Sequence, residues 1–354
     1  MRLARLAAAL RADEPALSST DVFGPLVGSG MGRGPAVVIG DHREISLATE
    51  EDAQLYEYRL SYLAAAGDVL LISGNRNPAF ESYREQALGF GPLEVLELQN
   101  LETDGPVPLA LRCRRDRSAM NRITEIARAA GGLTVVPHIG MGHAWLLAGA
   151  IAELSRVPVR VAAPPPRLTR RVNDKIWFGR RVTEVLGRGA RPPLRAAYGP
   201  TALAAHVADL ARRSQRVAIK VPDSAGSLGN ISLASEDVAA LTLSRLRARL
   251  RALLLDLGWC RHFPLLVEVW DSPVLSSPSV QIWVPNAGQG LPVIEGIFEQ
   301  IVEGEEGTFV GSVPTALSND WNETIADEAT RIAALLQELG YFGRCSFDAV
   351  IAGR

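Results

Sequence analysis

The chain has 354 residues, and its apolar fraction of 47% and charged fraction of 21% are ordinary for a globular protein. This composition excludes a disordered or fibrous chain, and a net charge of −2 argues against nucleic-acid binding through a basic surface. Three widely spaced cysteines, Cys113, Cys260 and Cys345, support neither a disulfide framework nor a zinc module. At about 150 residues per domain, the length predicts two or three domains.

The N-terminal residues do not have the pattern of an export signal. Arg5 and Arg11 enclose only five apolar residues, too few for the core of a signal peptide. The most apolar long stretch, 131–154, is interrupted by His138, His143 and Glu153, which argues against a membrane span. We therefore expect a cytoplasmic protein without a membrane partner.

In the first half of the chain, short apolar runs alternate with helical patterns. This alternation predicts right-handed βαβ crossovers and an α/β fold with an open, mainly parallel sheet. The predicted strands are 36–39, 68–73, 93–98, 133–136 and 157–161. The predicted helices are 51–65, 79–88, 117–130 and 143–154.

A run of alternating glycines, residues 28–34, precedes the first of these strands. A dinucleotide-binding fingerprint must follow a strand and open a helix, so this context predicts a flexible or capping loop instead. A second punctuating segment, AAPPPRLTRR at 162–171, contains three consecutive prolines. It predicts a stiff extended connector and a domain boundary.

The second half has a different order of elements. Helices are predicted at 172–186 and 200–213, followed by strands at 216–221 and 231–233 and by one helix from Ser235 to about Leu257. The alternating pattern of 280–284 indicates an antiparallel, half-buried strand. The remaining elements are a strand at 265–270, a long helix at 319–339 and a strand at 345–351.

Only two of the 37 basic residues are lysines, Lys175 and Lys220. A lysine that acts as a compact point charge is harder to replace by arginine than a lysine that only solvates a surface. The two lysines are therefore either functional or simply left over by chance in a composition that favours arginine. Lys220 ends a predicted strand and precedes SAGSLGN at 224–230, whose small residues allow close backbone approach to an anion. An ordinary hairpin turn is the alternative.

Three further motifs accompany this loop. Lys175 lies in NDK, LLVEVWDS at 265–272 is an apolar strand with a glutamate, and ELGYFGRCSFDAVI at 338–351 joins a helix end to a strand carrying Asp348. Their order resembles the ATP-grasp superfamily over residues 172–351, and the first half resembles the pre-ATP-grasp domain that precedes some of these modules. The narrower likeness is to the peptide ligase of pheganomycin biosynthesis and its relatives.

The resemblance implies four regions. These are a pre-ATP-grasp domain at 1–165, a connecting helical region at 166–215, a small ATP-grasp subdomain with a phosphate flap at 216–272, and a C-terminal ATP-grasp subdomain at 273–354.

The resemblance also implies a site for ATP. Lys175 and Lys220 would contact phosphates, with Lys220 also near the adenine. The flap would consist of Ser224, Ala225, Gly226, Ser227, Leu228 and Gly229. The hinge beside the adenine would be Val267, Glu268, Val269 and Trp270, and Asp271 or a serine of 276–279 would replace the family's ribose-binding acid. No catalytic residue is assigned, because Ser346 stands where some ligases carry an oxyanion-stabilising arginine.

Asp348 would be a Mg²⁺ ligand, as implied by the resemblance, since Mg²⁺ takes one or two carboxylates together with phosphate oxygens. In the superfamily a further strand supplies a Glu and an Asn, whereas only six residues follow Asp348. We therefore expect a truncated site, with completion by a partner and loss of the site as the alternatives, in a chain that binds ATP but turns over slowly or not at all.

The expected function is an ATP-dependent carboxylate–amine ligase that acts through an acyl phosphate on small-molecule or peptide substrates, as a possible homodimer. The alternatives are an ATP-grasp enzyme with another acceptor and a nucleotide-binding partner without turnover. His138 and His143, in HIGMGH after a strand, either pack a loop or contact a substrate. Trp283, Phe298 and Phe309 are predicted to lie in the core.

Overall fold

The computed structural model describes residues 2–99, 101, 105–226, 228–260, 262–304 and 308–353. Contacts within the chain divide it into two compact units. The N-terminal unit comprises Ala8–Arg170 and Leu339–Tyr341, and the C-terminal unit comprises Met1–Ala7, Arg171–Glu338 and Phe342–Arg354. Among the described residues, no helix combines the length and apolarity that crossing a membrane requires.

The N-terminal unit is built on a six-stranded sheet in which all pairings are parallel, as the alternating pattern predicted. The strand order is β1-β6-β5-β2-β3-β4. The strands are β1 (Val27–Ser29), β2 (Ala36–Ile39), β3 (Val69–Ile72), β4 (Glu94–Glu97), β5 (Leu133–Pro137) and β6 (Val159–Val161).

Helices cover both faces of this sheet, because its central strands are apolar throughout. One face packs under buried residues of α4, α5 and α6, among them Ile123 and Trp145. The other face contacts Leu60 and Ala64, which lie in and after a 3₁₀ segment at Glu57–Leu63. The helices of this unit are α2 (Glu50–Tyr56), α3 (Pro78–Gln86), α4 (Leu109–Arg115), α5 (Arg117–Ala130) and α6 (Gly142–Ser155), while α1 (Arg2–Asp13) and α7 (Pro166–Val172) each have residues in both units.

Three predictions for this half were wrong. Gly28 lies in edge strand β1 rather than in a loop, because this segment pairs in parallel with β6, where Gly28 lies opposite Arg160. The proline-rich connector ends in α7, since proline is tolerated in the first turn of a helix. The helix predicted at 51–65 is an α-helix only as far as Tyr56 and continues as 3₁₀. Helix α4 was not predicted.

The C-terminal unit contains a four-stranded antiparallel sheet of order β7-β10-β8-β9, packed beneath apolar helices. Its strands are β7 (Leu194–Ala197), β8 (Arg216–Lys220), β9 (Asn230–Ala234) and β10 (Leu265–Val269). The helices are α8 (Lys175–Leu186), α9 (Pro200–Ala211), α10 (Ser235–Ala239) and α11 (Leu243–Asp256). Helix α9 packs on the sheet, α11 packs against α9, and Leu210 and Leu250 of these two helices are buried.

A second antiparallel sheet has the order β14-β13-β12-β15 and packs against α12 (Asn319–Glu338) through Val280, Ile325 and Ala329. Its strands are β12 (Pro278–Val284), β13 (Val293–Glu303), β14 (Thr308–Pro314) and β15 (Gly343–Asp348). A short ladder joins β11 (Val274–Ser276) to β16 (Ile351–Ala352), so a further strand does follow Asp348.

Two predictions for this half also need correction. The helix predicted from Ser235 to Leu257 is two helices, because Thr242 caps a new helix at Leu243 by accepting a hydrogen bond from the Arg245 N–H. Trp283 and Phe309 are 41% and 50% exposed rather than core residues, since they lie on strands whose outer side has no described cover.

Candidate functional site

Lys220 is the last residue of β8, a strand between β9 and β10. It lies opposite Asn230 on one side and Leu266 on the other. Because successive strand residues alternate between faces, Lys220 shares a face with Glu268, which is its diagonal neighbour on β10. The register therefore brings a lysine and a carboxylate together where the strand opens into the loop at 221–229.

The Lys220 ammonium forms an ion pair with Glu268. Its Nζ also lies 5.4 Å from the ring centroid of Trp270, within the range of a cation–π contact. Glu268 was predicted as a possible adenine reader, whereas here it holds Lys220. The pair keeps a positive charge at the mouth of the loop without leaving the carboxylate uncompensated.

Lys175 is the first residue of α8. Asp174 caps this helix by accepting hydrogen bonds from the N–H groups of Ile176 and Trp177, at 2.8 and 3.2 Å. The backbone N–H of Lys175 donates to the Pro222 carbonyl at 3.0 Å. The NDK motif is therefore a helix start that is attached directly to the loop after β8.

The Lys175 ammonium lies in a ring of oxygen acceptors from that loop. Nζ contacts the Ser224 carbonyl and is 3.4 Å from each of the Val221 carbonyl, the Pro222 carbonyl and the Ser224 hydroxyl. Burial and, second to it, the positive charge of Lys220 together lower the pKa of Lys175 to about 8. Both ammonium groups thus lie at the start of the loop that follows β8, and an anion bound there would stabilise both positive charges.

The predicted flap is the hairpin loop between β8 and β9. The Val221 N–H donates to the Gly229 carbonyl at 3.1 Å, and the Leu228 N–H donates to the Ala225 carbonyl at 3.1 Å. Gly226 and Gly229 have φ values of +61° and +77°, which favour glycine. Ser227 lies outside the described residues. The small residues are thus needed by the turn itself, in addition to any role in binding.

The predicted hinge segment is the end of β10, a strand with neighbours on both sides. The N–H of Val269 donates to the Pro193 carbonyl at 3.2 Å, and that of Trp270 donates to the Arg216 carbonyl at 3.0 Å. These two N–H groups are engaged in the sheet and are not available donors for a base. Val267 is fully buried, and burial together with the Glu268 charge raises the pKa of Asp271.

Asp348 ends β15 with an exposed side chain. Its neighbour Phe347 stacks on Phe178 with centroids 5.6 Å apart, and Phe178 lies one helical turn after Lys175. This contact brings the start of α8 next to the end of β15. Within the described part of the chain, no three His, Cys, Asp or Glu side chains form a metal-binding group. Asp348 alone is compatible with a hydrated Mg²⁺ that is carried largely by phosphates.

Arg191 was not predicted. It lies before β7, its Nε donates to the Thr183 hydroxyl at 2.7 Å, and burial lowers its pKa while Glu268 acts on it in the opposite direction. Because Arg191 stands in a loop rich in Gly, Pro and Arg, no sequence signal separated it from its neighbours. It adds a third cation near Glu268.

The family comparison covers part of the N-terminal unit. Residues 57–153 match the family model of the Pre ATP-grasp domain. A comparison with curated protein sequences finds no match.

Solved structures share the fold over most of the chain. An ADP complex of PurK, N5-carboxyaminoimidazole ribonucleotide synthetase, aligns with a TM-score of 0.53 at 11% identity, over 91% of this chain and 67% of that one. The biotin carboxylase domain of 2-oxoglutarate carboxylase from Hydrogenobacter thermophilus gives 0.55 at 14% identity, over 91% and 62%. D-alanyl-alanine synthetase A from Vibrio cholerae gives 0.50 at 12% identity, over 91% and 86%.

The chain thus shares the α/β architecture of these solved structures, and part of its N-terminal unit matches the Pre ATP-grasp domain. The chain spans about two thirds of the length of the first two of these relatives. It is similar to PurK, to the biotin carboxylase domain and to D-alanyl-alanine synthetase in architecture.

Proposed function

We propose that the chain is an ATP-dependent carboxylate–amine ligase that forms an amide or peptide bond. The observation that carries the proposal is the convergence of both lysines of the chain on the loop between β8 and β9. This convergence occurs in a fold whose solved relatives include complexes with ADP. Two lysines beside a small-residue turn form an anion site suited to the phosphates of a nucleotide.

The proposed reaction has two steps. A substrate carboxylate attacks the γ-phosphorus of ATP, which yields an acyl phosphate and ADP. The nitrogen of an amine then attacks the acyl carbon, the C–O bond to phosphate breaks, and the nitrogen loses a proton to give the amide. Neither step needs a covalent nucleophile from the protein, so positioning and charge neutralisation carry the catalysis.

The described residues have separate roles in this proposal. Lys220 and Lys175 hold the phosphates, and the loop at 221–229 covers them. Asp348 would hold Mg²⁺, which neutralises phosphate charge when bound. Trp270, beside Lys220, offers an aromatic face at the entrance of the site.

The substrates proposed are an amino acid or peptide for both the carboxylate and the amine. The likeness to a D-alanyl-alanine synthetase in architecture, together with the sequence likeness to the peptide ligase of pheganomycin biosynthesis, supports this choice. A homodimer is part of the same proposal, since one structural relative is a dimer.

The test is a screen for ADP formation with pairs of amino acids and short peptides, combined with mass detection of the condensed product. We expect ADP only when both a carboxylate and an amine are present, and a product lighter than its two substrates together by one water. ADP formation that needs bicarbonate or a thiol instead of an amine would replace the proposal with another acceptor.

Lys220→Ala is the variant that tests the site in this screen, and Arg245→Ala is its control. It should abolish ADP formation and weaken ATP binding, because a charge-assisted contact contributes about 1.5–3 kcal/mol. Arg245→Ala removes a positive charge from the exposed side of α11 and should change neither.

A second candidate is a nucleotide-binding protein without turnover. It is favoured by one observation, namely that Asp348 is not part of a three-ligand group among the residues that the structure describes. Saturable ATP binding by the intact chain without ADP formation, across the whole substrate screen, would select this candidate.

A further inference from the structure

Helix α11 carries positive charge along its solvent side, opposite the leucines that it buries. Four arginines occupy alternate positions of 245–251, and all four are exposed. Among the described residues, Arg249 is the one of these four that forms an ion pair, with Asp237 at 3.5 Å. By contrast, Arg122 on the surface of the N-terminal unit is held by both oxygens of Glu94. The charge of α11 is thus largely uncompensated within the described part of the chain.

One side of α11 combines this charge with apolar side chains. Leu243, Arg247, Arg251 and Leu255 are spaced four residues apart and therefore form a ridge along the helix, here called the basic ridge. Both leucines are exposed, at 47% and 39%. The two arginines are about 6 Å apart along the axis, and like charges at this spacing destabilise a helix. Solvent alone does not explain this arrangement, whereas a facing pair of carboxylates would compensate it.

Helix α12 belongs to the same compact unit and has the opposite charge. Its exposed residues include Asp320, Glu323 and Asp327. No ion pair of Asp320 or Glu323 occurs among the residues that the structure describes. Arg331 approaches Asp327 only to 3.7 Å and donates to the Val185 carbonyl at 2.8 Å. Because Glu323 and Asp327 are four residues apart, α12 presents two acids at the spacing of the two arginines of the basic ridge.

We infer that α11 of one copy of this chain docks on α12 of a second copy, with Arg247 and Arg251 facing Glu323 and Asp327. A guanidinium meets a carboxylate through two parallel N–H···O bonds, so two such pairs at equal spacing fix the register of the two helices. Both helices belong to one unit, and a two-fold axis therefore makes the same contact twice and closes the assembly as a dimer. The exposed leucines of the basic ridge are covered in this contact.

The inference rests on the homodimer of the proposed function, for which it names the contact surfaces, and it does not need the ligase reaction. Lys175, Lys220 and Asp348 are not part of either surface. Attraction between charged surfaces sets the specificity and rate of association, and salt weakens it when the charges are exposed. We therefore expect a dimer whose stability falls steeply with salt concentration.

The test is analytical ultracentrifugation of the full chain without nucleotide, at about 50 mM and about 500 mM NaCl. We expect a dimer at the lower concentration and a dissociation constant that is weaker by about tenfold or more at the higher one. Arg247→Glu with Arg251→Glu should be monomeric at both concentrations, and so should Glu323→Arg with Asp327→Arg. A monomeric unchanged chain at the lower salt concentration would overturn the inference.

Mixing the two charge-reversed proteins is the decisive measurement. An equimolar mixture should form a dimer again, because every contact once more joins opposite charges. This recovery also shows that both variants are folded. Arg33→Glu with Arg117→Glu makes the same change in net charge at exposed positions of the N-terminal unit and should leave the dimer intact.

Three results would contradict this docking. They are monomers in the mixture, equal dissociation in the control variant, and a dimer that persists in both charge-reversed proteins. The last of these would place the homodimer on another surface. ADP formation is measured separately in the substrate screen, so failure of the ligase proposal and failure of this contact are observed independently.

Discussion

At the scale of single residues, a single substitution of Lys220 changes ATP binding in two ways, because Lys220 is paired with Glu268. Lys220→Ala removes the ion-pair partner of Glu268 and, in the proposed function, also removes a phosphate contact. The double variant Lys220→Ala with Glu268→Gln separates the two effects. We expect it to bind ATP more weakly than the parent but more tightly than Lys220→Ala. Full recovery in a binding titration would show that Lys220 acts only by neutralising Glu268.

Lys175 predicts a pH dependence. Its folded pKa of about 8 lies below the ordinary 10.5, so the unfolded chain binds this proton more tightly. Below about pH 8, the charged Lys175 therefore lowers the free energy of unfolding by its full amount. This destabilisation disappears as the pH rises from about 8 to about 10.5. ATP binding has the opposite trend, because phosphate needs the protonated amine.

The measurement is ATP affinity by calorimetry at about pH 7 and about pH 9.5, where we expect a loss of about tenfold. Lys175→Arg stays protonated throughout and should have a flatter profile. An equal loss in both proteins would assign the pH dependence to another group.

Asp348 predicts the response to magnesium. Asp348→Asn keeps the size of the side chain but removes the charge, so the gain in ATP affinity on adding Mg²⁺ should shrink about tenfold, with binding in EDTA little changed. Asp256→Asn, at the exposed end of α11, is the matched control. An unaltered Mg²⁺ effect in Asp348→Asn would remove this residue from the site.

At the scale of elements, the loop between β8 and β9 is the part most suited to move. It is a small-residue hairpin turn, and such elements belong to the least stable parts of proteins. ATP with Mg²⁺ should slow amide exchange at Ala225, Gly226 and Leu228, while amides of β2 keep their rates. Exchange of the loop that nucleotide does not change would contradict its role as a flap.

The contact between α8 and β15 is a second feature at this scale. Phe178 and Phe347 are stacked, which contributes about 0.5–1.5 kcal/mol beyond the buried area. A double-mutant cycle with Phe→Leu at both positions, followed by denaturant unfolding, should give a coupling of about that size. Pairing Phe347→Leu with Phe80→Leu, in the N-terminal unit, should be additive.

For the whole molecule, the division into two units predicts a response to ATP that is confined to one of them. A ligand at 100 times its Kd stabilises the state that it binds by about 2.7 kcal/mol. ATP should therefore slow exchange of the amides of β8 and β10, while the amides of β2 and β5 keep their rates. Equal protection of both sheets by ATP would mean that the units unfold as one cooperative block.

Much of this architecture follows from local patterns. Both faces of a parallel sheet are buried, so its strands can be predicted from short apolar runs such as 36–39 and 133–136. The helix at 117–130 can also be predicted locally, because its cap and its apolar face depend on neighbouring residues. The scarcity of lysine likewise singled out Lys175 and Lys220 before any coordinates. The glycine at position 28 was misassigned because its strand depends on pairing with β6, far along the chain.

The partners of the functional groups were decided by tertiary structure alone. The ion pair of Lys220 with Glu268 depends on the register of β8 against β10, and the acceptors around Lys175 come from a loop that lies 46 or more residues away. The stacking of His42 on His138 likewise depends on β5 pairing with β2. Residue types and local periodicity are properties of short segments, whereas these contacts arise only when strand order and register bring distant segments together.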